Sequence, residues 1–446
     1  MSDQLPSRQR DTAREITRKL QASGYEAFWV GGCVRDSLLG RQPQDYDIAT
    51  SARPGEVEAL FPHTVPVGRQ FGVILVLEDS IQFQVATFRA DADYVDGRRP
   101  TAVTFTDARA DASRRDFTVN GLFFDPIRNQ LHDWVEGQAD IAARLVRTIG
   151  DPEVRFAEDH LRILRAVRFA AQLDFEIAPS TLSAVQRNAA TIRQVSAERV
   201  RDELLRLFRP PHAARGLDLL DQAGLLREVL PEVAAFRGCE QGAEYHPEGN
   251  VYQHVRLMLS LLPPDSDPML AWAVLLHDVA KPVTATRDAA TGAIHFYGHE
   301  KVGAEMAEAL LHRLRFPKKQ IDQVVAVVRQ HMQFKDVPEM RKSTLRRLLM
   351  RPTYPLELEL HRLDCLGSHG MLDHYEYLRR AAEDLSQMPG IRPPLLRGDD
   401  LLGLGLTPGP RVGELLAEIR EKQLLDELTT PEQALEFARG RLKAED

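Results

Sequence analysis

Strand-forming segments are confined to the first third of this 446-residue chain. Up to about residue 140, short apolar runs bounded by Gly and Pro alternate with helical patterns. Phe28-Trp29-Val30, GVILVL (72–77), IQFQVATF (81–88) and residues 102–106 read as strands. Ala13, Ile16 and Leu20 recur at helical spacing before them, and Gly31-Gly32 opens a helix at 34–39. Beyond Asp140 the strand signals almost vanish. Helical periodicity carries 158–173, 197–207 and 215–230, and then the block 245–375. The expected class is therefore α+β, with a compact mixed unit followed by all-helical domains.

Composition narrows the partners. No apolar run reaches the ~18 residues of a membrane span, and the first twenty residues hold no apolar signal core. A cytoplasmic protein with no membrane partner is expected. Cys33, Cys239 and Cys365 are too few and too scattered for a disulfide framework. A net charge of −8 excludes a non-specific nucleic-acid coat and leaves room for a local groove. Only nine of the 57 basic residues are Lys. Arg forks suit phosphates and base edges, although a GC-rich genome gives the same bias. Ten of the 14 histidines fall between His246 and His374, which asks for a metal. Oligomeric state is not legible.

The segment VGGCVRDSLLGRQPQDYDIAT (30–50) carries the strongest chemistry. Gly31 and Gly32, between a strand and a helix, let backbone N–H groups approach a phosphate, with Arg35 close behind. Asp45 and Asp47 are i and i+2, so on a strand they point to one side. Two carboxylates so placed suit Mg²⁺ beside substrate phosphates, where two ions can activate a 3′-hydroxyl and stabilise pyrophosphate.

This spacing resembles class II nucleotidyltransferases of the polymerase-β superfamily. That group contains bacterial CCA-adding tRNA nucleotidyltransferases and bacterial poly(A) polymerases. The resemblance implies a polymerase-β-like nucleotidyltransferase head with a small mixed sheet, then a helical neck, body and tail. DASRRDFTVN (111–120) resembles the family's ribose-selecting block. Arg114 and Arg115 offer forks to triphosphate oxygens, and Asp116 and Asn120 can bond a 2′-hydroxyl. EDHLR (158–162) resembles the family's amino-acid template, with Asp159 and Arg162 on one helix face. An Asp acceptor beside an Arg donor matches the amino group and ring nitrogen of cytosine or adenine. Uracil and guanine present the reverse order and leave buried polar groups unpaired. Arg165 and Arg168 follow near the same face as phosphate or structural partners. The implied reaction transfers CMP and AMP from CTP and ATP to the tRNA 3′ end.

Two segments bear on the choice among relatives. VGRQFGV (67–73) resembles the G-x-x-F-G-V strand of CCA-adding enzymes, and residues 89–100 resemble the loop they need for the final A. Poly(A) addition and A-only addition to tRNA stay open. One position departs from the pattern: Gln84 stands where the family strand often has a glutamate, which puts the base for the 3′-hydroxyl in doubt.

The histidine block has the order H…HD…D of the HD superfamily of metal-dependent phosphohydrolases. His254, His277, Asp278 and Asp364 would be the ligands, with His299 and His331 completing a second position and Lys281 meeting a phosphate oxygen. Imidazole with carboxylate suits a transition metal such as Ni²⁺, Mn²⁺ or Fe. Such a site hydrolyses 2′-phosphates or 2′,3′-cyclic phosphates in some relatives. A metal-dependent HD phosphohydrolase with an RNA-binding head is the third alternative. The expected division is 1–140 head, 141–240 neck with the nucleotide-selecting motif, 241–390 HD body and 391–446 tail, the last two joined by a Pro/Gly-rich linker over 390–410.

Overall fold

The computed structural model describes residues 4–91, 103–242, 247, 249–387, 394–425 and 427–443. It divides into two compact units, Met1–Ala234 with Arg313–Arg315, and Ala235–His312 with Phe316–Asp446. Most of the loop resembling that of CCA-adding enzymes (92–102), and His246, lie outside the described residues.

In the first unit, α1 (Gln4–Ala22) buries Ala13, Ile16 and Leu20. The wholly buried β1 (Ala27–Val30) follows, then α2 (Gly32–Leu38), β2 (Asp47–Thr50) and α3 (Pro54–Leu60). The sheet continues with β3 (Thr64–Gly68), β4 (Val73–Glu78) and β5 (Ile81–Thr87). A separate pair, β6 (Arg89–Asp91) and β7 (Val103–Phe105), leads to α4 (Ala108–Ser113), and β8 (Phe123–Asp125) and β9 (Gln130–His132) finish the sheet. Its order is β3-β4-β5-β2-β1-β8-β9, and only β2–β5 is parallel.

Register decides what shares the functional face. Val30 lies opposite Asp47 and Phe123, and the β2–β5 pairing begins one residue on, with Ile48 opposite Val85 and Ala49 opposite Ala86. Residues in one such row point to one side. Phe28, Val30, Ala49, Phe88 and Phe123 form an aromatic-rich cluster on that side, with Ala108 and Ala112 of α4 packed on it. The alternate residues, such as Trp29 and Ile48, pack towards α1.

Helices then take over: α5 (Gly137–Ala142), α6 (Pro152–Glu158), α7 (Leu161–Leu173), α8 (Pro179–Asn188), α9 (Ala197–Leu207), α10 (Ala213–Gln222), α11 (Leu226–Val229) and α12 (Pro231–Ala234). A two-residue parallel pair, β10 (Leu145–Val146) with β11 (Glu176–Ile177), lies among them. The helix expected over 158–173 is broken. Asp159 has extended backbone (φ −147°, ψ 104°), and its Oδ1 accepts from the Leu161 N–H at 3.1 Å, so it opens α7 instead of riding on it. The helix expected over 215–230 is also two, divided at Gly224 with φ +74°.

The second unit holds α13 (Val251–Ser260), α14 (Pro268–Leu276), α15 (Lys281–Thr284), a small hairpin of β12 (Thr286–Arg287) and β13 (Ile294–His295), then α16 (His299–Arg313), α17 (Lys318–Gln330), α18 (Lys342–Leu349), α19 (Tyr354–Gly367) and α20 (Asp373–Gln387). Residues 269–276 of α14 are buried all round, which makes it a central helix. The segment 390–410 is more than a linker. It contains α21 (Gly398–Leu402), and Leu396 and Leu401 join Leu415 and Ile419 of α22 (Pro410–Leu424) and Ala434 and Ala438 of α23 (Pro431–Lys443) in a small core.

Candidate functional site

A cavity of about 920 Å³ opens in the first unit. Gly31, Gly32 and Arg35 line it from the start of α2, where Gly31 has φ +72° and a Cβ would lie 3.4 Å from Arg115 Nη1. Asp45 and Asp47 line it from the entry of β2, with Gln84 from β5 beside them. Asp47 begins the strand and Asp45 precedes it. Burial, then the neighbouring Asp45, push the Asp47 carboxyl up to about 6 against the pull of Arg115. Carboxylates crowded in this way gain from a hard divalent cation, so this pair fits Mg²⁺.

The second wall comes from the turn after α4. Asp111, only 1% exposed, accepts from Arg114 Nη2 at 2.6 Å and Arg115 Nη2 at 3.1 Å, and so holds both guanidiniums at the cavity. Burial alone would raise the Asp111 carboxyl, but Arg115 and Arg114 lower it. Asp116 accepts from Arg165 Nη2 (2.6 Å) and Asn120 Nδ2 (3.2 Å), and Asn120 accepts from Arg35 Nη1 (2.6 Å). Burial would raise Asp116 too. The Arg165 cation and its hydrogen bond hold it at about 2 instead.

The third wall is Asp159, which follows α6, with α7 and α9. Asp159 and Arg162 both reach the cavity. Arg162 Nη1 donates to Glu158 and to the Arg155 carbonyl (3.0 Å), and Asp159 Oδ2 accepts from Arg199 at 2.7 Å. Arg165 and Arg168 pair with the buried Glu203 of α9, and Arg168 also lies over the Phe169 ring at 3.9 Å. They therefore brace α7 on α9 as well as facing the cavity. Sequence reasoning missed the partners Glu158, Arg199 and Glu203. The Asp111 pairs were signalled by their i,i+3 and i,i+4 spacing on a helix.

In the second unit five elements converge. His254 comes from α13, His277-Asp278 follow α14, His299 starts α16, His331 follows α17 and Asp364 lies on α19. Ligand atoms of His254, His277 and Asp278 lie within 4.8 Å of one another, as do those of Asp278, His299 and His331. Asp364 Oδ1 is 3.1 Å from His254 Nε2. The Nδ1 atoms of His277, His299 and His331 face the carbonyls of Val274, Phe296 and Val328 at 2.6–2.9 Å, and that of His254 faces Gly367 O at 3.3 Å. A carbonyl only accepts, so each Nδ1 carries a proton and each Nε2 is the atom turned inward, where it can donate to a carboxylate or, once deprotonated, take a metal. His299 Nε2 and His331 Nε2 are 3.1 Å apart. Burial, then the neighbouring His277, lower the His331 pKa to about 4, so that ring is neutral at neutral pH and its Nε2 can accept a proton or a metal. Asp278 turns Oδ2 to His277 (3.1 Å) and Oδ1 to His299 (3.5 Å), one oxygen for each cluster. Burial would raise its carboxyl, but His277 and Lys281 hold it well below the usual carboxylate range. The donor set fits a transition metal. Lys281, expected to face a substrate phosphate, donates to Asp278 Oδ2 (2.7 Å) and Gln241 (2.6 Å).

Known proteins match this chain in both units. Family models match for a poly(A) polymerase head domain (residues 27–147), a probable RNA- and SrmB-binding site of polymerase A (174–237) and an HD domain (245–366). The chain is 36% identical to an A-adding tRNA nucleotidyltransferase of Deinococcus radiodurans, over 92% of this chain and 94% of that one. It is 47% identical to a CCA-adding enzyme of Staphylococcus aureus over 200 residues, 45% of this chain and 50% of that one. The match thus spans about half the length of that relative. A Bacillus stearothermophilus CCA-adding enzyme in complex with CTP superposes with a TM-score of 0.73 at 28% identity, covering 99% of this chain and 98% of that one.

Proposed function

Because this chain belongs to the bacterial family of CCA-adding tRNA nucleotidyltransferases and poly(A) polymerases, carrying an HD domain, we propose that it completes the tRNA 3′ end with CMP and AMP from CTP and ATP, releasing pyrophosphate. One observation carries the reading. The paired carboxylates, the Arg114–Arg115 fork, the Asp116–Asn120 pair and the Asp159–Arg162 pair all line one cavity. Asp45 and Asp47 would hold Mg²⁺. When bound, that ion activates the 3′-hydroxyl and neutralises charge on the leaving pyrophosphate. Arg114 and Arg115 grip the triphosphate so that the α-phosphorus faces the tRNA end. A bond forms from the 3′-oxygen to that phosphorus as the bond to the β-phosphate oxygen breaks. Asn120 and Asp116 hold the ribose. Asp159 accepts from the exocyclic amino group of C or A, while Arg162 donates to the adjacent ring nitrogen.

The proposal includes the four-part division at residues 140, 240 and 390 and a cytoplasmic site of action, where the tRNA is found. The second unit would be a metal-dependent phosphohydrolase. His254, His277, Asp278 and Asp364, with His299 and His331, would hold Ni²⁺, Mn²⁺ or Fe, which supplies an activated water for attack on phosphate esters.

A second reading has a specific observation behind it. The relative aligned along nearly its whole length is named A-adding. Extension of a tRNA ending at the discriminator base, at single-nucleotide resolution in Mg²⁺, separates the two. Three added nucleotides with CTP plus ATP, absent in Asp45→Ala, is the expected result. Extension only of a tRNA already ending in CC establishes the A-only reading, and long A tails on generic RNA establish poly(A) synthesis.

A further inference from the structure

Gln241 lies in the segment before α13, which is pinned where the Val251 N–H donates to the Cys239 carbonyl at 3.0 Å. Its side chain is 8% exposed and meets Lys281, itself 7% exposed. Oε1 accepts from Lys281 Nζ at 2.6 Å, and Nζ stands 2.7 Å from Asp278 Oδ2. Chemistry fixes which way the amide faces. An ammonium only donates, so the amide oxygen is turned to it and the NH2 group is turned away. That group is buried, and Nε2 has no hydrogen-bond partner among the described residues. A buried donor left unpaired costs free energy, so an orphan of this kind calls for an acceptor that completes it.

The neighbours say which acceptor fits. The oxygen and nitrogen of one amide are held close together, so Nε2 lies no more than about 5 Å from Nζ. An ammonium carries three N–H donors, and Asp278 and Gln241 take two of them. Asp278 also reaches His277 and His299, one oxygen for each, so these donors border the histidine clusters. A cation is repelled by Lys281, and an apolar group leaves the amide unpaired. An anionic oxygen satisfies both. A phosphate ester carries several such oxygens, so one can face the metal while another meets the amide and the ammonium.

We infer that Gln241 is a substrate-binding residue of the second unit, its Nε2 donating to a phosphate oxygen beside Lys281. This rests on the reading of that unit as a metal-dependent phosphohydrolase. The test uses the full-length chain loaded with Mn²⁺, with inorganic phosphate as the probe. Phosphate also fits the cavity of the first unit, so only the calorimetric binding absent from His277→Ala is counted. In Gln241→Glu the carboxylate still accepts from Lys281, but it cannot donate and sets a negative charge where the phosphate oxygen would lie. Gln241→Met removes acceptor and donor together. Both variants are expected to keep their Mn²⁺, by elemental analysis, and their tRNA extension. The Kd for phosphate should rise about five-fold or more in both. The KM for a nucleoside 2′,3′-cyclic phosphate should rise with it, by more than kcat falls. Wild-type affinity in Gln241→Glu beside a loss in Gln241→Met would make Gln241 an acceptor that only positions Lys281, and the inference fails alone. An unchanged Kd in both variants overturns it as well, leaving the amide to a structural water. Loss of Mn²⁺ from both would make Gln241 a support of the metal site and also overturns it. If wild type binds no more phosphate than His277→Ala and hydrolyses no cyclic phosphate, the phosphohydrolase reading fails and takes the inference with it.

Discussion

At the scale of single residues, charge crowding and its relief set the behaviour of the cavity. Gln84 lines the same cavity as Asp45 and Asp47 but brings an amide there. An amide oxygen binds a hard cation more weakly than a carboxylate does. Gln84→Glu is therefore expected to lower the Mg²⁺ concentration for half-maximal extension several-fold, read from an Mg²⁺ titration of single-nucleotide addition. An unchanged titration would remove residue 84 from the metal's surroundings. Asp116 gives a pH prediction. Its carboxyl titrates at about 2 in the folded chain against 3.8 when free, because Arg165 outweighs burial. The charged form thus contributes stability above about pH 4, and that stability is lost as pH falls towards 2. The shift corresponds to on the order of 2 kcal/mol. Urea midpoints of wild type and Asp116→Asn should converge between pH 5 and pH 2. A constant gap across that range would contradict the pairing. Residue types were legible in the sequence wherever partners lie within a few positions, as Asp111 does with Arg114 and Arg115. Arg199 and Asp159, or Arg165 and Asp116, lie 40 and 49 residues apart. No periodicity announces such pairs, since tertiary packing brings them together.

At the scale of elements, the strands that read clearly were those with several apolar residues in succession, β1, β4 and β5. Phe123–Asp125 and Gln130–His132 are three residues each, too short for an alternation to register, yet they extend the sheet to seven strands. Helix existence was legible from the 3.6-residue period, but helix breaks were not. Asp159 looks helical by spacing and leaves the helix, its Oδ1 accepting from the Leu161 N–H two residues on. The turn that carries Asn120 is likewise set by packing. Gly137, at the start of α5, lies so close that a Cβ would stand 2.3 Å from the Thr118 carbonyl oxygen and 3.0 Å from Leu122. Backbone cannot yield as a side-chain tip can. Gly137→Ala should cost about 2 kcal/mol or more and raise KM for both CTP and ATP as the Thr118–Asn120 turn shifts. Gly413 in α22 is the control, because nothing lies within 4 Å of its Cβ position and its φ is ordinary. Gly413→Ala should be neutral or stabilise by up to ~1 kcal/mol. Thermal denaturation of the two variants checks both, and equal effects would refute the packing argument.

At the scale of the whole molecule, two sets of acidic and metal-ligating side chains occupy two compact units, and the chemistry proposed for each draws on no residue of the other. The change of architecture near residue 140 and the clustering of histidines were both visible in the sequence. The convergence of six candidate ligands from five elements was visible only as an order of residue types. Asp45→Ala should abolish nucleotide addition, while hydrolysis of a nucleoside 2′,3′-cyclic phosphate and bound transition metal persist. His277→Ala should do the reverse. Metal affinity also feeds stability, because an ion that binds only the folded form stabilises it by RT ln(1 + [L]/Kd), about 2.7 kcal/mol at a hundred-fold excess over Kd. Stripping the metal with a chelator should therefore lower a calorimetric transition that Asp278→Ala also lowers and that added Mn²⁺ or Ni²⁺ restores in the wild type alone. A transition indifferent to chelator, with no metal retained after dialysis, would mean that the histidine cluster holds only protons and hydrogen bonds and that the second unit is a scaffold.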